Sequence, residues 1–142
     1  MRAITAYFMA TLVAYLLASA FSTLMIMAGL AEMAMPVSGA DVLSAIWFDW
    51  LGLLSSYLPL VAIALLIALP AAGQLHGRLG LPRRFIYALG GFVALIAIHL
   101  ILEATLGLIG FAAVRTTFGL ALQGAAGGLA GWFFAYLSGA KA

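Results

Sequence analysis

The chain has 142 residues, of which 67% are hydrophobic and only 7% charged, with six Lys/Arg, four Asp/Glu and no cysteine. A soluble domain carries roughly 25% charged residues, so this composition excludes a water-soluble globule and predicts an integral membrane protein whose first partner is the lipid bilayer. The slight basic excess lies beside apolar segments, where it sets topology rather than binding nucleic acid, and a chain without thiols has no disulfide chemistry, thiolate ligands or palmitoylation.

Met1 and Arg2 open the chain, and residues 3–30 form the first predicted span. Ala18, Ser19 and Ala20 imitate a signal-peptide cleavage site, but the apolar run continues through Phe21, Leu24 and Ile26, which predicts a retained span. At ~1.5 Å per residue it is long enough to cross a ~30 Å hydrocarbon core with tilt. Ala14, Ala18 and Ser22 recur every fourth residue, the small-residue spacing that lets membrane helices approach closely.

The interval from Glu32 to Trp50 is the one polar stretch. Pro36 stops the preceding segment, and Ser38 with Asp41 three residues on has the form of a capping box. A short interfacial helix is expected over residues 39–50. Val42/Leu43, Ile46/Trp47 and Trp50/Leu51 form its lipid face, while Asp41, Ala45 and Asp49 turn to water. Trp47 and Trp50 are the expected headgroup anchors.

A second span is expected over residues 51–72; a start near Tyr57 puts Pro59 in its first turn, a start at Leu51 makes Pro59 a kink, and Pro70 marks the exit or a bend just before it. The stretch 73–84 reads as a loop whose His76, Arg78, Arg83 and Arg84 anchor the topology and meet anionic lipid headgroups. Third and fourth spans are expected over residues 84–107 and 113–137, with Trp132 and Tyr136 at an interface. Arg2, Arg78, Arg83, Arg84 and Lys141 fall on one side of this threading. Arg115 and the acids of the 32–49 interval fall on the other. The positive-inside rule then gives an all-α, four-helix membrane bundle, N-in and C-in, as a single domain over residues 1–142, in a bacterial inner membrane.

His99 and Glu103 are the ionisable residues predicted at membrane depth, one helical turn apart. A charge there costs at least ~2.5–3.5 kcal/mol, so neither should face lipid bare. A turn near Leu108–Gly110 would bring Glu103 level with Arg115 and His99 level with Gln123. The bland reading is an ion pair and a hydrogen bond that fix hairpin register; the sharper one is a proton or cation relay, because histidine titrates near neutral pH. A ligand contact is the remaining reading.

On the fourth span, Gly124/Gly128 and Gly127/Gly131 both have GxxxG spacing. One face is expected to pack within the bundle, the other to serve a second copy or another membrane subunit. No catalytic triad, phosphate loop, HExxH motif or carboxylate pair occurs, and His76 and His99 are too far apart along the chain to share one metal, so no enzyme, metal or cofactor is expected. The leading expectation is an accessory or assembly subunit working by helix association. A His99/Glu103 transporter or channel is the alternative, and a haem or pigment carrier using His99 across a subunit interface is the third.

Overall fold

The computed structural model describes residues 2–106 and 116–139. Among them the chain forms five helices and no strand: α1 (Arg2–Glu32), α2 (Gly39–Gly52), α3 (Tyr57–Leu79), α4 (Arg83–Leu106) and α5 (Thr117–Ser138). All but α2 are long and apolar enough to cross a membrane, the mark of a membrane protein. The expected turn near Leu108–Gly110 lies outside the described residues.

Each helix end has a local cause. After α1, Ala34 takes the left-handed conformation, at φ 57°. The N–H groups of Ala34 and Met35 reach back to the carbonyls of Ala31 and Leu30, the Schellman ending, and Pro36 prevents further helix. Ser38 caps α2 through the anticipated reciprocal box: its hydroxyl accepts from the Asp41 N–H at 3.2 Å, and its own N–H donates to the Asp41 carboxylate at 2.8 Å. Pro59 occupies the first turn of α3, where a missing N–H leaves no hydrogen bond unmade.

The second span differs from expectation. Of the two anticipated starts it takes the one at Tyr57, and it continues through Pro70 to Leu79, beyond the expected exit. Pro70 forfeits one backbone bond without ending the helix, because the residues after it pack on α4: Gly73 lies under the Tyr87 hydroxyl and Ala72 against Gly90. Gly80, at φ 64°, is what stops the helix, and Pro82 accepts the first bonds of α4 from Phe85 and Ile86. Only Gly80, Leu81 and Pro82 separate α3 from α4.

The four long helices run up and down in a ring ordered α1, α3, α4, α5, and α2 rests on α1. The most extensive contact is α4 on α5. There a Cβ added to Gly91 would stand 2.0 Å from the Gly127 carbonyl oxygen, and one on Gly131 2.0 Å from that of Tyr87. The two backbones therefore touch. Gly124 makes room for the Phe92 ring, whereas Gly128 is roomier: a methyl group there would lie 3.5 Å from the Ala88 carbonyl oxygen, an ordinary contact. Ala14, Ala18 and Ser22 are buried on α1 in a contact with α5.

Gly91→Ala or Gly127→Ala should therefore destabilise the bundle by at least ~1–3 kcal/mol, as overpacking does, while Gly128→Ala should melt with the wild type; thermal unfolding in detergent followed by circular dichroism decides. The cap of α2 carries a pH dependence of its own. The Ser38 hydroxyl and N–H hold the Asp41 carboxyl below the usual aspartate range. A folded value below the unfolded one stabilises fully above the ordinary pKa of about 3.9 and is lost as pH falls through the lowered value. Amide protection in the first turn of α2, corrected for intrinsic exchange, should fall in that acid window, and Asp41→Asn should lack the change.

Candidate functional site

The antiparallel threading sorts the charges. Arg2, Arg78, Arg83 and Arg84 stand at one end of the bundle, and Glu32, Asp41, Asp49 and Glu103 at the other. Between them the interior changes character. Toward the basic end the core is apolar, built from Ala6, Ala10, Leu65, Leu69 and Phe134. Toward the acidic end it is a column of polar side chains.

The column begins on α1. Thr11, Tyr15, Ser19 and Thr23 recur every fourth residue, share one helix face, and are all buried. Tyr15 donates its hydroxyl to the Trp50 carbonyl, and Thr23 donates to the Asp49 carboxylate or, at 3.0 Å, to the Ser19 carbonyl. The Trp50 indole N–H returns to the Leu16 carbonyl at 3.1 Å. The Asp49–Trp50 pair thus clips α2 onto the middle of α1.

From Tyr15 the column crosses the bundle. Its ring lies 6.2 Å from that of Tyr57 on α3, and the Tyr57 ring meets His99 on α4 edge-on at 5.8 Å. The Tyr57 hydroxyl stands 3.4 Å from His99 Nε2, and His99 Nδ1 lies 2.7 Å from the Leu95 carbonyl. A carbonyl can only accept, so Nδ1 carries hydrogen and the neutral ring presents the Nε2 lone pair to Tyr57. His99 is 2% exposed.

On α5, Gln123 is fully buried and donates to the Ala18 carbonyl at 3.0 Å and to the Ser22 hydroxyl at 2.8 Å. Its carbonyl oxygen, like the Ser19 and Thr11 hydroxyls, has no hydrogen-bond partner among the described residues. Buried polar atoms of this kind are the usual hosts of ordered water or a ligand.

This arrangement revises several sequence expectations. Gln123 bonds to α1 instead of to His99. The contacts Gly91–Gly127 and Tyr87–Gly131 fix a register that, continued, sets Leu95 across from Gln123 and Gly119 across from His99, one turn from the expected His99–Gln123 match, though it is the register the Glu103–Arg115 match assumes. Glu103 is exposed in the last turn of α4. Its anticipated partner Arg115 lies outside the described residues. His99 points into the bundle.

Asp49 is also turned inward onto Thr23, so α2 is rotated from its expected orientation. Trp50 is half-buried, while Leu43, Trp47 and Phe48 are exposed. Thr23 supplies the hydroxyl that makes this rotation favourable. Gly127 and Gly131, expected to offer a second face to another subunit, are buried against α4.

At the basic end, the Arg84 guanidinium covers the stacked rings of Trp132 and Tyr136 at 5.7 and 5.5 Å, and Arg83 lies over Tyr87 and donates to the Ser138 hydroxyl at 2.8 Å. Sequence reading finds His99 and Gln123 but misses Tyr15, Tyr57, Ser19 and Thr23. The four-residue polar spacing on the first span is the available signal; it runs alongside the Ala14/Ala18/Ser22 stripe. No metal-binding cluster of His, Cys, Asp and Glu occurs among the described residues. Comparisons with protein-family models, curated proteins and solved structures find no match.

Proposed function

We propose that the chain is a multi-pass membrane protein with both termini cytoplasmic, non-enzymatic, of the bacterial inner-membrane type, and that it takes up protons along the polar column ending at His99. The separation of arginines from carboxylates at opposite ends supports the orientation. One observation carries the proton reading: a deeply buried imidazole whose Nδ1 is held by the Leu95 carbonyl and whose Nε2 faces Tyr57.

A proton arriving from the acidic end binds the Nε2 lone pair. The resulting imidazolium then donates from Nε2 to the Tyr57 oxygen, so the same contact serves both charge states with donor and acceptor exchanged. Tyr15 and the half-buried Asp49 extend the line of oxygen atoms toward the acidic surface, with water carrying protons across the longer gaps. Glu103 and the other carboxylates at that end raise the local cation and proton concentration. The apolar residues toward the basic end make the acidic end the side of entry, and release at the basic end passes that layer by way of transient water.

In proteoliposomes holding a pH-sensitive dye, an imposed membrane potential should drive proton uptake by the wild type. His99→Leu and Tyr57→Phe should each cut the rate at least about ten-fold, in line with the loss of a positioned proton-transfer group, with unchanged helicity. A wild-type rate equal to that of empty vesicles overturns this reading.

A second reading, an accessory or assembly subunit working by helix association, draws on α2. Its Leu43 and Phe48, each 71% exposed, and Trp47 form an uncovered apolar side. Purification from native membranes should then retain a stoichiometric partner that Phe48→Ser releases; a homogeneous single species removes this reading.

A further inference from the structure

The outer side of the α3–α4 pair carries an open groove of about 640 Å³. Ala64, Ala68, Ala71, Gly90 and Ala97 recess its floor, and Leu60 and Ile101 lie at its acidic end. From Leu60 to Leu75 it follows about 22 Å of helix, taking ~1.5 Å per residue. That is longer than one leaflet of a hydrocarbon core ~30 Å thick. Every residue lining it is apolar.

The two ends of the groove differ in charge. The lining positions on α3 recur at helical spacing through Ala64, Ala68, Ala71 and Leu75, and the next position on that face is Arg78. Arg83 and Arg84 are engaged on the α5 side of α4, by Ser138 and Tyr87 and by Trp132 and Tyr136, and the His76 ring is held by the Leu81 carbonyl. Arg78 is exposed and makes no hydrogen bond, ion pair or ring contact among the described residues. At the far end, Glu103 follows the lining residues Ile101 and Leu102.

We propose that this groove holds an acyl chain of an anionic phospholipid, with the headgroup phosphate on Arg78. The apolar lining takes the chain, the guanidinium takes the phosphate in a charge-assisted contact, and the carboxylate at the other end repels the reversed orientation. A neutral lipid would fill the same space without the ionic contact. This rests on the membrane reading of the four long helices and is independent of the proton reading.

The test uses the full chain in mild detergent, with native mass spectrometry of lipid retained from equal phosphatidylglycerol and phosphatidylcholine. The wild type should retain phosphatidylglycerol preferentially by roughly five-fold, the factor that corresponds to ~1 kcal/mol per basic residue at an anionic surface. Arg78→Gln should abolish the preference while keeping lipid bound, and Ala68→Trp should release both lipids. Should Ala68→Trp fail to fold, the exposed Arg78→Gln still decides. Equal retention of the two lipids by the wild type, or a preference that survives Arg78→Gln, overturns the proposal and leaves the membrane reading standing. Because the chain has no cysteine, Ala71→Cys gives a unique thiol, and its disulfide cross-linking to a second protein in native membranes would assign the groove to a helix instead. A chain that stays soluble without detergent would overturn both readings.

Discussion

The contact of bare backbone between α4 and α5 is what the other helices of the bundle build upon. Lipid is as apolar as leucine, so burying leucine between membrane helices gains little, and close van der Waals approach must hold them together. Gly91, Gly127 and Gly131 let two helices meet without side chains between them. With α4 and α5 locked, α1 lays its alanine stripe on α5 and α3 lays Ala68, Ala72 and Gly73 on α4. The ring closes through the α1–α3 contact, where the Tyr7 hydroxyl reaches the Ala62 carbonyl.

That closure determines what the polar residues can do. A hydroxyl, amide or imidazole facing hydrocarbon would lose its hydrogen bonds to water, so these groups turn inward and find one another or spare carbonyl lone pairs. Leu16, Ala18 and Leu95 each lend such a carbonyl, to Trp50, Gln123 and His99. The column is therefore both a structural clip and a chemical feature. It joins α1, α2, α3 and α4 through Tyr15, Trp50, Tyr57 and His99, and it leaves buried oxygen atoms with unused capacity. Most of its side chains lie toward the acidic end and the apolar residues toward the basic one, which gives the bundle a direction.

The outside of the bundle is asymmetric too. One pair of arginines is absorbed by aromatic rings and Ser138, tying the start of α4 to the end of α5, while Arg78 stays available beside an apolar groove. Arginine suits both roles, because its planar guanidinium stacks on rings and also forks onto phosphate. Three arginines that look alike in the linear chain thus have two different physical situations.

Local chemistry was legible from the amino-acid order. Composition and run length yield the four long apolar helices, Ser38 and Asp41 yield the start of α2, and Pro59 falls in the first turn of α3, because caps and proline geometry depend on neighbours a few residues away. Pro70 was not legible as a residue inside a helix, since what carries α3 past it is contact with α4. Nor was the partner of Gln123, because a register error of one turn, about 5.4 Å, exchanges every long-range hydrogen bond. The polar spacing of Thr11, Tyr15, Ser19 and Thr23 was visible, yet only the crossing of α1 with α2 and α3 shows which groups it meets. Residue order is thus enough to say which segments are helical and which end is basic. Which polar groups share the interior was settled only when the helices packed, because those pairings depend on helix rotation and depth together.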